Sequence, residues 1–363
     1  MENIRRREFV KTFLTFLGVS PFLQEEAFGK GIKKGIHVRL PKISFETTYL
    51  QGKEKGGRIL IVGGIHGNEP GAYKAAEILR RVKVKKGELF IAPRSNFISI
   101  LANVRGYNGD MNRKFAYISC KDPDYPYVLK LKSLIKELKP DVVLSLHDGF
   151  GFHILNNSHW GQCIVIDEER YESFNLGKIA KFVAKEANKK IKYKKWKIPV
   201  FNTHTFSKST KHPEQRKSLT YYCLRECNTR AFCLEASKQL PSLEDKVRTH
   251  FLMLEAFFKL FSVEIEPSFS VLQEIGEKIL NEKKVYSASL KINGRSLLVS
   301  SCKTFKIPQG SEVEFISFHG SSGTNAIPVG VNLNWRSFRI RKNLTVRVKD
   351  DFKEVFKVRF VLS

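Results

Sequence analysis

Long apolar runs are missing from this sequence of 363 residues, and their absence excludes one class of protein. No stretch reaches the roughly 18 consecutive apolar residues that a membrane-spanning helix needs, so a polytopic membrane protein is excluded. No repeat of fixed period is evident, which argues against a solenoid. Cysteine is also scarce: the six residues include no Cys-x-x-Cys pair, so no structural zinc site is indicated.

Acidic residues are few as well. Asp and Glu total 36 against 63 Lys and Arg, which leaves a formal net charge of +27. An excess of this size favours an acidic partner, such as nucleic acid, an anionic membrane surface or a carboxylate-rich polymer. The run 192–197 interleaves Tyr193 and Trp196 with lysines. No zinc-finger spacing, aromatic RNA-binding motif or basic leucine-zipper pattern accompanies the charge, and we therefore predict no nucleic-acid partner.

The amino terminus carries a pattern that is typical of exported proteins. The segment 6–11 reads RREFVK, which resembles the twin-arginine export signature of bacteria, and the apolar stretch 12–23 follows it. The pattern predicts an export signal over residues 1–30 and a periplasmic protein; a basic amphipathic first helix is the alternative. The periplasm would permit a disulfide between Cys223 and Cys227, which the sequence leaves open.

Strands and helices alternate through the first two thirds of the chain. Short apolar runs bounded by turn residues predict strands, and apolar residues at helical spacing predict helices. This alternation indicates βαβ units, and we predict an α/β fold with a mixed, mostly parallel sheet flanked by helices. The predicted strands are 58–64, 89–92, 141–146, 162–166 and 230–234, and the predicted helices are 70–82, 127–138, 175–187 and 243–261.

The pattern changes near Pro267. One more helix is predicted over 271–280, and the chain from 285 to 363 reads as short strands separated by turn residues such as Asn293-Gly294. We therefore predict a main domain over residues 31–265 and a small β-rich accessory domain over residues 266–363.

Imidazole and carboxylate side chains follow three of the predicted strands. His66 and Glu69 come after the first strand, His147 after the third and Glu235 after the fifth. Ligands of open α/β sheets bind outside the carboxyl ends of the strands. A catalytic zinc ion takes three N and O ligands and keeps one position open, which His66, Glu69 and His147 would satisfy. The sequence therefore predicts one bound zinc ion, with Glu235 free to act as general base.

Each of these residues has a simpler interpretation when it is taken alone. A single histidine after a strand is commonly a capping or hydrogen-bonded residue, Glu69 would favour the positive end of a following helix, and Glu235 would suit a structural role. The nearby glycines suggest a phosphate site, but neither G-x-G-x-x-G nor G-x-x-x-x-G-K-S/T is present. The combination of all four residues favours the metal site.

Four separated motifs resemble the zinc carboxypeptidase superfamily, in particular its succinylglutamate desuccinylase and aspartoacylase-like branch. The segment GIHGNEPG (64–71) resembles the zinc-binding H-x-x-E loop, and GDMNRKF (109–115) resembles the D-x-N-R segment. Leu146-His147 matches the third ligand, and FCLEAS (232–237) matches the strand that bears the catalytic glutamate. The likeness covers about residues 36–262 and implies a zinc carboxypeptidase-like fold.

The resemblance also implies roles for three substrate-binding residues. Asn112 and Arg113 would hold the free carboxylate of the substrate, and Arg105 would polarise the scissile carbonyl. For Arg113, a surface salt bridge is the alternative.

The whole chain, with its amino-terminal leader and its β-rich tail, is similar to one subgroup of the superfamily, the exported, cell-shape-determining carboxypeptidases of helical bacteria. The resemblance implies a zinc metallocarboxypeptidase that hydrolyses the C-terminal amide bond of peptidoglycan stem peptides, converts a tripeptide to a dipeptide with release of meso-diaminopimelate, and affects cell shape. Two alternatives remain open, a cytosolic amidohydrolase of N-acyl amino acids and a non-catalytic murein-binding protein.

Overall fold

The computed structural model describes residues 34–363. The predicted export signal over residues 1–30 lies outside this range and stays a prediction. Within the described range, no helix is long and apolar enough to cross a membrane.

Strands and helices alternate up to residue 281, as the sequence predicts, and strands follow. In chain order the strands are β1 (Ile36–Arg39), β2 (Thr48–Gln51), β3 (Glu54–Val62), β4 (Lys83–Ala92), β5 (Val142–Gly149), β6 (Cys163–Ile166), β7 (Val200–Asn202), β8 (Arg230–Ser237), β9 (Glu264–Glu266), β10 (Ser287–Ile292), β11 (Arg295–Val299), β12 (Lys303–Ile307), β13 (Glu312–His319), β14 (Thr324–Pro328), β15 (Ser337–Ile340), β16 (Leu344–Asp350) and β17 (Lys353–Leu362). The α-helices are α1 (Pro70–Leu79), α2 (Phe97–Ala102), α3 (Tyr125–Leu138), α4 (Leu176–Lys189), α5 (Leu219–Cys227), α6 (Leu243–Leu260) and α7 (Phe269–Asn281). Short 3-10 helices span Met111–Arg113, Lys194–Trp196 and Pro213–Lys217.

The largest sheet has the strand order β2-β4-β3-β5-β8-β6-β7, with β9 paired to β4. The inner strands β4, β3, β5 and β8 run parallel, whereas β6 runs antiparallel to β8. Residues 142–146 of β5 are apolar apart from Ser145 and are all buried, as expected for a strand that is covered on both faces. The predicted mixed, mostly parallel α/β sheet is confirmed.

Helices cover both faces of this sheet, because alternate residues of a strand point to opposite sides. Ile59 and Ile61 of β3 pack in one core with α1, α4, α6 and α7, whereas Leu60 and Val62 pack in another with α3 and α5. The carboxyl ends of the parallel strands β3, β5 and β8 therefore meet at one edge between the two helical layers.

Two smaller sheets follow, ordered β11-β10-β13-β1-β15 and β12-β17-β16-β14, and they share one apolar core. β1 belongs here, although the sequence analysis placed it in the main domain that begins at residue 31: it pairs with β13 and β15. Ile36 and Val38 are fully buried in this core. A strand of four residues cannot shield its own apolar side chains, so β1 gains its burial by pairing between two strands that lie far along the chain.

The structure also differs from the sequence analysis at residue 265. β9 pairs with β4 of the largest sheet, and Phe269 and Leu272 of α7 are buried in the same core as α1 and α6. Residues 264–281 therefore pack with the largest sheet, because α7 is amphipathic and buries its apolar stripe there.

A buried ion network joins β16–β17 to α1. Asp351 is fully buried, and its carboxylate contacts Arg94 Nε at 2.6 Å and Lys74 Nζ at 2.5 Å. Arg94 Nη1 also contacts Glu77 Oε2 at 2.6 Å. Burial opposes ionisation of Asp351, but the charges of Arg94 and Lys74 outweigh it and hold the pKa of that carboxyl well below its usual value.

Cys223 and Cys227, for which the sequence left a disulfide open, are both free thiols. Cys223 is buried in the core between α5 and the sheet, and Cys227 is partly buried at the end of α5. Burial raises the pKa of each thiol, which keeps both in the neutral form at neutral pH.

Candidate active site

A tight loop after β3 places His66 and Glu69 at the carboxyl edge of the sheet. Gly64 adopts a φ of +68°, and Gly67 runs so close to Ser99 that a Cβ atom would lie 2.0 Å from the Ser99 carbonyl carbon. Glycine avoids both the strain and the clash. Glu69 directly precedes α1, whose first residue is a proline, as suits a position that needs no N–H.

His66, Glu69 and His147 converge, and all three are buried. His66 Nδ1 lies 3.0 Å from Glu69 Oε1, and His147 Nδ1 lies 2.9 Å from Glu69 Oε2. The two Nδ1 atoms are 3.1 Å apart. One ligand atom from each residue can be chosen so that all three lie within 4.8 Å of one another. The structure therefore brings together the three residues that the sequence predicts as metal ligands.

The outer nitrogens of the two imidazoles have partners of their own. His66 Nε2 lies 2.9 Å from Asp110 Oδ1, and His147 Nε2 lies 3.0 Å from Ser145 Oγ. When Nε2–H donates to these oxygens, the Nδ1 lone pairs point into the cluster beside the Glu69 carboxylate. Three electron-rich atoms at such short range fit a divalent cation, and two imidazoles with one carboxylate suit zinc.

The carboxylates of Glu69 and Asp110 are held in the ionised form. Burial opposes the charge of Glu69, but His66 and His147 outweigh burial and keep the pKa of Glu69 well below its usual value. Burial likewise opposes the charge of Asp110, and hydrogen bonding to His66 with the charge of Arg105 holds its pKa low. Both groups are therefore available as acceptors at neutral pH.

Glu235 lies beside this cluster because β8 and β5 are neighbours in the sheet. His147 and Glu235 are paired in register on these two parallel strands. Glu235 Oε1 accepts the Cys233 thiol at 3.3 Å, whereas Oε2 is buried and has no hydrogen-bond partner among the described residues. Burial and the charge of Glu69 raise the pKa of Glu235 to about 8. The second oxygen is thus free to take up a proton.

Arg105 lies at the rim of the cluster. Its side chain is 48% exposed, Nη2 contacts Asp110 Oδ2 at 3.0 Å and Nη1 lies 3.4 Å from Glu69 Oε1. The guanidinium therefore borders both the cluster and solvent, where a substrate carbonyl could reach it.

Asn112 and Arg113 lie on the 3-10 helix that Asp110 caps. Asn112 Oδ1 accepts the backbone N–H of Leu219 at 3.0 Å, so its side chain anchors the start of α5. Arg113 Nη1 donates to the backbone carbonyl of Asn112 at 3.0 Å. Arg113 forms no ion pair with any residue from 34 to 363, so the alternative of a surface salt bridge is wrong within the described chain. Its charge remains available for an anionic ligand.

The sequence predicts Asp148 as a residue that orients a metal ligand, but it does not predict two further supporting residues, Lys238 and His250. Lys238 Nζ lies 3.8 Å from Glu69 Oε1, just after β8. Asp148 accepts the backbone N–H of Gly71 at 2.7 Å and contacts His250 Nε2 at 3.1 Å, which ties β5 to α1 and α6. Cys233 and Lys238 could have been found from the sequence, because they lie within three residues of Glu235. His250 lies on a helix that follows later in the chain, and nothing in the sequence connects it with the site.

Comparisons with solved structures agree with this fold. The tripeptide-bound form of the cell shape determinant Csd4 from Helicobacter pylori is 22% identical, with a TM-score of 0.62 over 88% of this chain and 100% of that chain. The mDAP-bound form of Csd4, described as a D,L-carboxypeptidase, is 20% identical, with a TM-score of 0.59 over 87% of this chain and 100% of that chain. No curated protein matches the chain.

A family model establishes the relationship more directly. The model of the catalytic part of carboxypeptidases controlling helical cell shape matches residues 34–281. This range contains every residue that the sequence predicts for the site, and it ends where α7 ends. The chain therefore belongs to the family of carboxypeptidases that control helical cell shape.

Proposed function

We propose that the chain is a zinc-dependent carboxypeptidase that hydrolyses the C-terminal amide bond of a peptidoglycan stem tripeptide and releases meso-diaminopimelate. The convergence of His66, Glu69 and His147 beside the free oxygen of Glu235 carries the proposal. The forms of the related Csd4 that contain a tripeptide or mDAP support this choice of substrate.

The buried cluster defines how the cofactor would be held. His66 and His147 would each use Nδ1, and Glu69 would complete the set with its carboxylate. A zinc ion in such a site supplies Lewis acidity and lowers the pKa of water. Asp110 and Ser145 would keep the two imidazoles in the tautomer whose Nδ1 is free.

Glu235 would be the general base and then the general acid. Its Oε2 would take the proton of the attacking water, because no other described group competes for that oxygen. The same oxygen would then deliver the proton to the amine that leaves. The Cys233 thiol on Oε1 would hold the carboxylate in place during both steps.

Arg105 and Arg113 would each bind a different negatively charged group of the substrate. Arg105 would stabilise the negative oxygen that forms on the scissile carbonyl. Arg113, with Asn112 beside it, would bind the terminal carboxylate by charge-assisted hydrogen bonds. Because a free carboxylate sets the position of the scissile bond, this arrangement favours removal of the last residue over internal cleavage.

Export to the periplasm, directed by the twin-arginine-like signal over residues 1–30, is part of the proposal because the substrate lies there. Cell fractionation tests it: recovery of the protein in the cytosol would favour the amidohydrolase of N-acyl amino acids instead.

Turnover of defined muropeptides tests the activity. Purified protein would be incubated with a disaccharide tripeptide, with and without chelator, and the products identified by mass. We expect diaminopimelate and the disaccharide dipeptide, loss of both products with chelator, and recovery of both with zinc. A tripeptide amidated at its terminal carboxylate is the matched control and should be cleaved poorly. Bound zinc without turnover of any peptide or N-acyl amino acid would favour a non-catalytic murein-binding protein.

A further inference from the structure

Positive charge is concentrated in one short segment that the proposed reaction does not use. Residues 176–197 cover α4 and the 3-10 helix Lys194–Trp196, and they contain nine lysines and one glutamate. Their net charge of +8 is nearly a third of the +27 carried by the 363 residues. Such a local excess defines a surface that attracts anions.

The lysines of α4 form a stripe along its outer face. Lys178, Lys181, Lys185 and Lys189 follow one another at spacings of three or four residues, and all are exposed. At about 1.5 Å per residue they extend over about 16 Å. The opposite face of α4 is apolar and is buried in the core against the largest sheet. The stripe is therefore presented on a rigid element.

Most of these charges have no acidic partner. Glu169, Glu186 and Glu255 pair with Lys181, Lys189 and Lys190. The other six lysines form no ion pair with any residue of the described range: Lys178, Lys185, Lys192, Lys194, Lys195 and Lys197. The segment therefore keeps a net positive surface that an external anion can neutralise.

The basic segment, residues 176–197, ends close to strand β8, which carries Glu235. The Trp196 carbonyl accepts a hydrogen bond from Gln162 Nε2 at 2.9 Å, and Gln162 Oε1 accepts the Ser237 N–H at 3.0 Å. Ser237 lies two residues after Glu235 on β8. One glutamine side chain thus links the end of the basic segment to the strand that carries the proposed general base.

We propose that residues 176–197 are a docking surface for the peptidoglycan polymer itself, outside the cleft that binds the scissile peptide. The proposal rests on the proposed function, since the uncrosslinked stem peptides along a glycan strand each carry free carboxylates. A row of lysines matches a row of carboxylates, and many weak pairs on one polymer add up to firm retention.

An anionic membrane fits this surface less well. Helices that bind a membrane surface present Trp, Phe or Leu to the lipid. The apolar residues of α4 instead pack on the protein core. Between residues 176 and 197, all of them described, Tyr193 is the one large apolar side chain that is exposed. A surface with many charges and a single exposed tyrosine favours a hydrated polymer over a lipid bilayer.

Charge removal tests the docking surface. The variant replaces Lys185, Lys192, Lys194 and Lys195 by glutamine, and binding is measured by co-sedimentation with purified sacculi and with phosphatidylglycerol vesicles. Each exposed charge pair contributes about 1.4- to fivefold in affinity, so the loss of four pairs should lower sacculus binding at least about fourfold at low salt. The difference should shrink at high salt, where exposed charges are screened. Turnover of the free tripeptide should stay within about twofold of the wild-type rate, which also shows that the variant is folded.

The matched control removes four exposed lysines of the β-rich part, by replacing Lys291, Lys303, Lys306 and Lys342 with glutamine. It should keep sacculus binding within about twofold. Three results would each overturn the docking surface. Sacculus binding could fall equally in both variants, or the wild-type protein could fail to bind sacculi, or the first variant could lose binding to vesicles alone. Binding needs no turnover, so wild-type protein that binds sacculi but releases no diaminopimelate would refute the proposed function and leave the docking surface standing.

Discussion

Replacement of Glu235 by glutamine tests the proposed general base with little disturbance of its surroundings. Glutamine has nearly the same volume, and its side-chain oxygen can still accept the Cys233 thiol. The three residues of the ligand cluster are unchanged, so the metal should still bind. The variant loses only the ability of the second carboxylate oxygen to take up and release a proton.

The structure indicates how large the loss should be. Glu235 is 6% exposed, and its Oε2 has no hydrogen-bond partner within residues 34–363, so that oxygen is not engaged in any other contact. A positioned general acid–base group contributes about 10²- to 10⁴-fold, which corresponds to about 2.7–5.5 kcal/mol of activation free energy. We expect kcat for the tripeptide to fall by at least about 10²-fold, with a much smaller change in KM.

The pH dependence of kcat/KM gives a second measurement of the same group. Burial and the charge of Glu69 raise the pKa of Glu235 to about 8, and a cation on the ligand cluster would lower that pKa by favouring the ionised form. Activity of the zinc-containing protein should therefore rise with pH and level off below about pH 8 as Glu235 ionises. The glutamine variant should lack this acidic limb.

The control makes the same chemical change where no role is proposed. Glu214 is exposed and pairs with Lys217, so Glu214→Gln should keep full turnover. Zinc content, measured on both variants, separates loss of the base from loss of the metal. A Glu235→Gln protein that contains zinc and turns over at a near-normal rate would refute the assignment of the general base.

Three further changes probe the ligands, the substrate carboxylate and the buried ion network. His66→Ala removes one of three donors and should abolish stoichiometric zinc; a variant that retains one zinc per chain by elemental analysis would contradict the ligand set. Arg113→Ala should raise KM for the free tripeptide much more than for its amidated form, and equal effects on both would argue against carboxylate binding. Asp351→Asn leaves Arg94 and Lys74 without their buried counter-charge, so urea unfolding should show a loss of about 3–5 kcal/mol, and a change under about 1 kcal/mol would disprove the importance of the network. Because the pKa of Asp351 is held low, the wild-type stability that it contributes should be present at neutral pH and be lost on acidification below about pH 4.

The four central site residues could be predicted because the end of a strand can be recognised from a short stretch of sequence. Buried apolar runs identify β3, β5 and β8, and their parallel packing brings the residues that follow them to one edge. His66, Glu69, His147 and Glu235 could therefore be grouped before any contact was known. The sequence could not show that Asn112 would anchor α5 or that Arg113 would remain without an acidic partner, because both outcomes depend on loops that meet only in the folded chain.

The sequence by itself determined the central strands of the largest sheet, the longer helices and the chemistry at the strand ends, since apolar periodicity and turn residues act over a few positions. Only the tertiary structure decided that β1 joins the β-rich sheets and that α7 packs with α1 and α6. It also decided that Arg94 meets Asp351, 257 residues further along the chain. Such partners are chosen by the burial of matching apolar surfaces and charges across the whole fold, and no short stretch of sequence contains that information.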